Sequence, residues 1–167
     1  MDQRPLLFVD VDGPLNPYAR SRRSAYRDGY RKWRANGFEV LLKHGHGAAL
    51  TALPYELVWA TTWGHEANVH IAPRIGLPKL PVCEFPVTGN HAPGLHAKTP
   101  GIVEYAGGRP FAWVDDEITR ADRDWVDMWH PGPVLLHRAD PARGLTAKDF
   151  EVLAEWVVPG WRWEGAT

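Results

Sequence analysis

Five short apolar runs, at residues 6–11, 56–60, 80–85, 111–114 and 133–137, constrain the fold more than any other feature, since none is long enough to stand alone as a helix. The segments between them carry helical spacing and caps. Near-continuous apolar strands alternating with helices need both faces covered, which a parallel sheet sandwiched between helices provides. The expectation is therefore an α/β chain with a five-stranded parallel sheet.

The chain has 167 residues, enough for one domain spanning 1–167 around a single core. With 44% hydrophobic and 23% charged side chains it has the composition of a globular protein, not a disordered tail. A net charge of -1, from 19 basic and 20 acidic residues, provides no global field to recruit nucleic acid or an anionic membrane. The lone Cys83, in "LPVCEFPV", reads as core filler in a buried strand and fits a reducing compartment. Charged residues interrupt the chain from Asp10 onward and no apolar run reaches bilayer length. A cytoplasmic protein without membrane contact is the expectation.

Helix signals sharpen the picture. Thr99-Pro100 reads as an N-cap with proline at the first helical position, and Gly107-Gly108 closes that helix. In "LTAKDFEVLAEWVVPG", Thr146 with Asp149 forms a capping box, and Phe150, Leu153 and Val157 share an apolar face. Between the first and second strands, "YRKWRANGFEVLLKH" sets Asn36-Gly37 between two pairable stretches, the signature of a type I′ hairpin. This predicts a β-flap at about residues 17–44, carrying or adjoining Arg20, Arg22, Arg23, Arg27, Arg31, Lys32 and Arg34 against only Asp28. Two readings of it stand: a solvated hairpin protecting an edge, or a patch facing substrate.

"LLFVDVDGPLN" ends a buried strand on two carboxylates. Ligands bind at the carboxyl ends of parallel strands, and Asp10 and Asp12 point the same way if the chain stays extended. Two carboxylates this close repel unless a cation or a proton intervenes, and a hard oxygen-seeking ion such as Mg²⁺ answers that need. "FAWVDDE" repeats the theme with Asp115 and Asp116, so two strands deliver acids to one edge; one of that pair instead capping the next helix is the structural alternative. "ELVWATTW" adds the hydroxyls of Thr61 and Thr62 at a strand end, and "LHAKTPG" adds Lys98 before a helix start.

Taken in order, these pieces resemble the four motifs of the haloacid dehalogenase superfamily of phosphohydrolases: "VDVDGPLN", "VWATT", Lys98 and "AWVDD", spread over residues 6 to 117. Within it, "DVDGPLNP", "VWATTWGHEAN", "FAWVDDE" and "HRADPARGLTAKD" look similar to predicted nucleic-acid-repair or polynucleotide-linked phosphatase domains. The resemblance implies a Rossmann-like three-layer sandwich with strand order 5-4-1-2-3 and a flap after strand 1. It implies Asp10 as the nucleophile, Asp12 as general acid and base, Thr61 (or its neighbour Thr62) as donor to a phosphoryl oxygen and Lys98 as counter-charge. Mg²⁺ would be held by Asp10, the Asp12 backbone carbonyl and Asp115, with Asp116 behind. Pro14 departs from the usual pattern and removes one backbone donor.

No large insertion separates the motifs, so no large cap domain is expected and an open site should admit bulky phosphoesters, including nucleotides and nucleic-acid ends. Thr62, Trp63 and Arg31 are the candidate substrate contacts, Trp63 and Trp33 being the tryptophans able to stack on a base. Trp59 and Trp113 in strands, and Trp125, Trp129 and Trp156 at helical spacing, read as core. In "HEANVH", His65 and His70 are about 140° apart at about 3.6 residues per turn, so they share no face. His44 and His46 in "KHGHG" read as turn and cap, while His91 and His96 lie in a Pro/Gly loop before Lys98 and are lesser candidates for reaching substrate. The sequence thus predicts a phosphomonoesterase. Its rivals are a phosphotransferase sharing the first half-reaction and a non-catalytic phosphate- or partner-binding domain; oligomeric state stays open.

Overall fold

A computed structural model describes residues 4–19, 21–86 and 92–156. The elements run β1 (Leu6–Val9), α1 (Arg22–Arg27), β2 (Arg31–Ala35), β3 (Phe38–Leu42), α2 (Gly45–Thr51), β4 (Glu56–Trp59), α3 (Glu66–His70), α4 (Ala72–Ile75), α5 (Thr99–Ala106), β5 (Phe111–Asp115), α6 (Arg120–Trp129), β6 (Val134–Arg138) and α7 (Ala147–Glu155).

Strands β4, β1, β5 and β6 form one parallel sheet in that order, with β1 in register against both neighbours (Val9 beside Trp59 and Val114). These four stand in the order anticipated for them, but the sheet has four strands, not five. The 80–85 run makes a single parallel bridge, Trp59 to Val82, held by Trp59 N donating to Pro81 O and Cys83 N donating to Trp59 O. Its prolines explain the shortfall: Pro78, Pro81 and Pro86 have no N–H with which to extend a ladder.

β1 is buried throughout and shows why the sheet needs helices on both sides. Leu7 and Val9 pack into one core with residues of α2, α3, α4 and α7, while Leu6 and Phe8 pack into a second core with residues of α5 and α6. The hairpin forms as its Asn-Gly pair predicts, β2 antiparallel to β3 with positive φ at both Asn36 and Gly37. Ala35, Val40 and Leu42 anchor it into the first core. Thr146 and Asp149 make the expected capping box of α7, whereas α5 begins at Thr99 with Lys98 in the cap position. Arg20, His91 and Val157 lie outside the described residues.

Two aromatic and histidine expectations need correction. Trp129 is 59% exposed, its ring tilted 40° against the half-buried Trp125 instead of entering the core, because α6 turns Val126 inward. His46 is no turn residue: it is buried in α2, its Nε2 donating to Leu145 O at 3.1 Å and its ring edge-on to Tyr30. That bond fixes the neutral tautomer and leaves Nδ1 without a partner among the described residues. Burial pulls His46 from 6.5 down to about 4. Between those values the unfolded chain takes up a proton that the folded one refuses, so this stability is lost as pH falls through that window. Relative to His46→Phe, wild type is expected to lose about 3 kcal/mol between pH 7 and pH 4 in urea titrations. Parallel pH profiles for the two proteins would contradict a neutral buried imidazole.

Candidate active site

The parallel pairing of β1 with β5 brings the ends of these strands side by side, so Asp10 and Asp115 emerge together, with Asp10 N donating to Val114 O. Both carboxylates are buried, and the Lys98 ammonium, 2% exposed, sits between them at 2.9 Å from Asp10 Oδ2 and 2.7 Å from Asp115 Oδ2. Asp10 Oδ1 accepts from Val11 N and Asp115 Oδ1 from Glu117 N. Neither Asp115 nor Asp116 caps the next helix; Thr119 does so, reciprocally with Asp122.

One ammonium cannot neutralise two buried carboxylates. Burial drives the Asp10 carboxyl from 3.8 up to about 7, with Lys98 pulling it down and Asp115 pushing it further up. Lys98, penalised by burial, is nevertheless held above its ordinary value by Asp10 and Asp115. With both carboxylates ionised the trio carries one negative charge more than Lys98 neutralises.

Asp10, Asp115 and the half-buried Asp116 each offer a carboxylate oxygen within 4.8 Å of the others. Hard oxygen donors at this spacing, in a group short of positive charge, fit Mg²⁺ or a similar hard divalent cation. Gly13 makes the group possible: at φ +96°, a Cβ placed there would lie 2.4 Å from Asp116 Cγ. Gly13→Ala is expected to displace Asp116, weaken any divalent-cation binding by the group about tenfold by titration calorimetry, and destabilise the fold by about 1–2 kcal/mol through strain at positive φ. Unchanged affinity for the cation would remove Asp116 from the group.

Asp12 is turned elsewhere. Its Oδ1 accepts from Asn16 Nδ2 at 2.7 Å and its Oδ2 from the Trp63 indole at 2.9 Å. Its carboxylate therefore lies outside the three-carboxylate group and lines a cleft of about 440 Å³ with Asn16, Tyr18, Phe38, Thr62 and Trp63. Thr61 is buried at the end of β4, its Oγ1 accepting from Trp63 N, while Thr62 is exposed on the cleft wall. Arg31 is not brought to this site. Its guanidinium donates to Tyr26 O and Tyr30 O, and it lines a separate groove with Trp33 and Arg74. Elsewhere in the arginine-rich flap, Arg22 and Lys32 pair with Glu39.

Several residues of consequence escape a motif reading. Asn16 ties Asp12 to the hairpin, since its Oδ1 accepts from Leu41 N. Asp122, fully buried, accepts from His96 N and Thr99 Oγ1 through one oxygen and from Thr119 N through the other, locking together the platform that presents Lys98. The Thr119-x-x-Asp122 spacing is a capping box that the sequence itself displays. His96 accepts from Lys98 N at Nδ1, so its Nε2 donates to Glu117; it positions the lysine backbone instead of facing substrate. His96, Asp115 and Glu117 form a second group with metal-compatible spacing, but both imidazole nitrogens are already used within the protein. His65 and His70 pair separately with Glu84 and Glu66.

Among the described residues no helix is long and apolar enough to cross a membrane. No protein-family model, no curated protein and no solved structure matches the chain. What stands is a Rossmann-like α/β fold with a parallel sheet and a buried acidic group, able to hold a metal, at the end of its first strand.

Proposed function

We propose that the chain is a haloacid-dehalogenase-like phosphomonoesterase that hydrolyses phosphate monoesters through a phospho-aspartate on Asp10, with Mg²⁺ held by Asp10, Asp115 and Asp116. The observation that supports this best is the Lys98 ammonium bridging Asp10 and Asp115, because it joins the first, third and fourth motifs of the resemblance at one point. Such a bridge serves a nucleophile that must approach a dianionic phosphate without being repelled.

In this reading an Asp10 carboxylate oxygen attacks phosphorus, the ester P–O bond breaks, and the leaving oxygen takes a proton from Asp12. Water then attacks the acyl phosphate, giving its proton back to Asp12; inorganic phosphate leaves and the Asp10 carboxylate is restored. Asp12 suits both transfers by position: Trp63 and Asn16 orient it in the wall of the open cleft, near Asp10 in the chain, on the side a leaving group would take. Lys98 balances charge on the transferred phosphoryl group, and Thr61 stands at the adjoining strand end to donate to it. The bound cation supplies Lewis-acid stabilisation of the phosphoryl oxygens.

The test is phosphate release from an aryl phosphate with and without Mg²⁺, for wild type, Asp10→Asn and Asp12→Asn. Magnesium-dependent release by wild type, lost at least about a thousandfold in both variants, is the expected outcome. Equal rates for the three proteins would overturn the reading, and product formed only with an added alcohol would favour phosphotransfer.

A further inference from the structure

The cleft beside Asp12 specifies what carries the phosphate. Trp63 forms one wall, with its indole N–H on Asp12, and Phe38 at the hairpin end stands edge-on to it at 6.3 Å between ring centroids. Tyr18 completes an aromatic rim. Phe38 and Tyr18 are 65% and 63% exposed, which for large aromatic side chains is a substantial area left uncovered beside a polar site. The volume of about 440 Å³ falls within the usual span of small-molecule sites, about 300–1,000 Å³.

Charge narrows the choice. The carboxylic acids of this lining are Asp12, Glu39 and Glu66; Glu39 is paired with Arg22 and Lys32, and among the described residues no lysine or arginine is part of the lining itself. The basic Arg31 and Arg74 belong to the separate groove by Trp33. A phosphodiester chain laid through the aromatic cleft would bring further phosphates against Asp12 and Glu66, neither of which is paired with a lysine or arginine among the described residues. A flat, uncharged ring meets no such penalty and gains stacking on Phe38 and Trp63.

We propose that this cleft, on the phosphatase reading above, selects monoesters whose single phosphate is borne by a compact body with one flat neutral ring system, as in a mononucleotide or an aryl phosphate, and disfavours oligonucleotide ends. The phosphate meets the Asp10–Lys98 pair beyond Asp12, and the ring lies against the exposed Phe38, with Trp63 and Tyr18 alongside. Asp12 stands at the junction, next to the ester oxygen that departs. This narrows the substrates an open site alone would admit.

The experiment compares kcat/KM for adenosine 5′-monophosphate, phenyl phosphate, glycerol phosphate and a 5′-phosphorylated tetranucleotide, in wild type and Phe38→Ala. Phe38 sits at the surface, outside the acidic group, so its loss leaves the reacting residues in place. Expected are a preference for the two ring-bearing monoesters over both other substrates and a loss of about tenfold for them alone in Phe38→Ala. If only one of the two is preferred, the nucleoside and simple aryl versions are thereby separated. Equal use of glycerol phosphate, better use of the tetranucleotide, or a Phe38→Ala effect shared by all four would overturn the inference while leaving the phosphatase standing. Should wild type hydrolyse none of them, the enzyme reading fails, and titration with adenosine followed by tryptophan fluorescence decides the cleft by itself. Quenching weakened about tenfold in Phe38→Ala upholds ring binding; no quenching, or identical titrations, overturns it.

Discussion

Asp10→Asn is expected to abolish phosphate release and yet, at pH 8 in EDTA, to melt about 5 °C above wild type. The loss of activity follows from chemistry, since an amide oxygen cannot form and release an acyl phosphate as a carboxylate does. The gain follows from charge. Asp10, Asp115 and Lys98 are all buried, and with both carboxylates ionised the trio carries one uncompensated negative charge. The substitution leaves a single Lys98–Asp115 pair. Replacing an uncompensated buried charge by a neutral isostere commonly stabilises by about 1–3 kcal/mol, and about 2–4 °C per kcal/mol applies at this chain length. The pH dependence has a definite sign. Burial holds Asp10 up at about 7, against 3.8 ordinarily, so the folded wild type binds a proton more tightly than the unfolded chain. Wild-type stability from that proton is present at low pH and is lost as pH rises through about 7, so the advantage of Asp10→Asn should shrink from pH 8 toward pH 5. Magnesium should raise the wild-type midpoint and move the variant less. Scanning fluorimetry at pH 5 and pH 8, with EDTA or Mg²⁺, measures each of these shifts. A variant less stable than wild type at pH 8 in EDTA would mean that Asp10 is well compensated and not poised for a cation.

How far the sequence discloses this arrangement depends on the range of the interactions. Short-range signals carry through: Asn36-Gly37 makes its hairpin because only such a pair accepts two positive φ values cheaply, and Thr146-x-x-Asp149 makes its capping box. The acids of β1 and β5 meet because both end buried parallel strands, a consequence of the fold class and not of any one residue. The fifth strand fails because an apolar run can satisfy the pattern while its prolines lack the donors a ladder needs. Trp129 misleads because helical spacing names a face without saying which face is covered. The cleft is harder still. Phe38, Asn16 and Tyr18 lie in or near a flap whose docking angle is set by long-range contacts, such as Leu145 N on Pro14 O and Tyr30 OH on Arg143 O. The direction of Asp12 likewise depends on Trp63, fifty-one positions away. Arg31 suits a substrate by composition, but β2 aims it into another groove, where backbone carbonyls occupy it.

Lys98→Met should be the most damaging single change in the molecule at alkaline pH. The methionine keeps much of the volume and removes the ammonium, which leaves Asp10 and Asp115 facing each other without the cation that now lies within 3 Å of both. Breaking a buried pair from one side costs about 3–5 kcal/mol, equivalent to roughly 10–15 °C in midpoint here. The protein has two ways to recover. A proton on Asp10 removes the repulsion, so the deficit should be largest at pH 8 and much smaller at pH 5. A divalent cation can replace the ammonium electrostatically, so Mg²⁺ should restore part of the midpoint without restoring turnover, because the counter-charge to the phosphoryl group is still missing. The double variant Asp10→Asn/Lys98→Met carries the same single buried carboxylate excess as wild type and should therefore melt well above Lys98→Met alone, a coupling that a thermodynamic cycle measures directly. Strict additivity of the two substitutions would show that the ammonium and the Asp10 carboxylate do not interact, and the proposed nucleophile would lose the group that lets it face a phosphate.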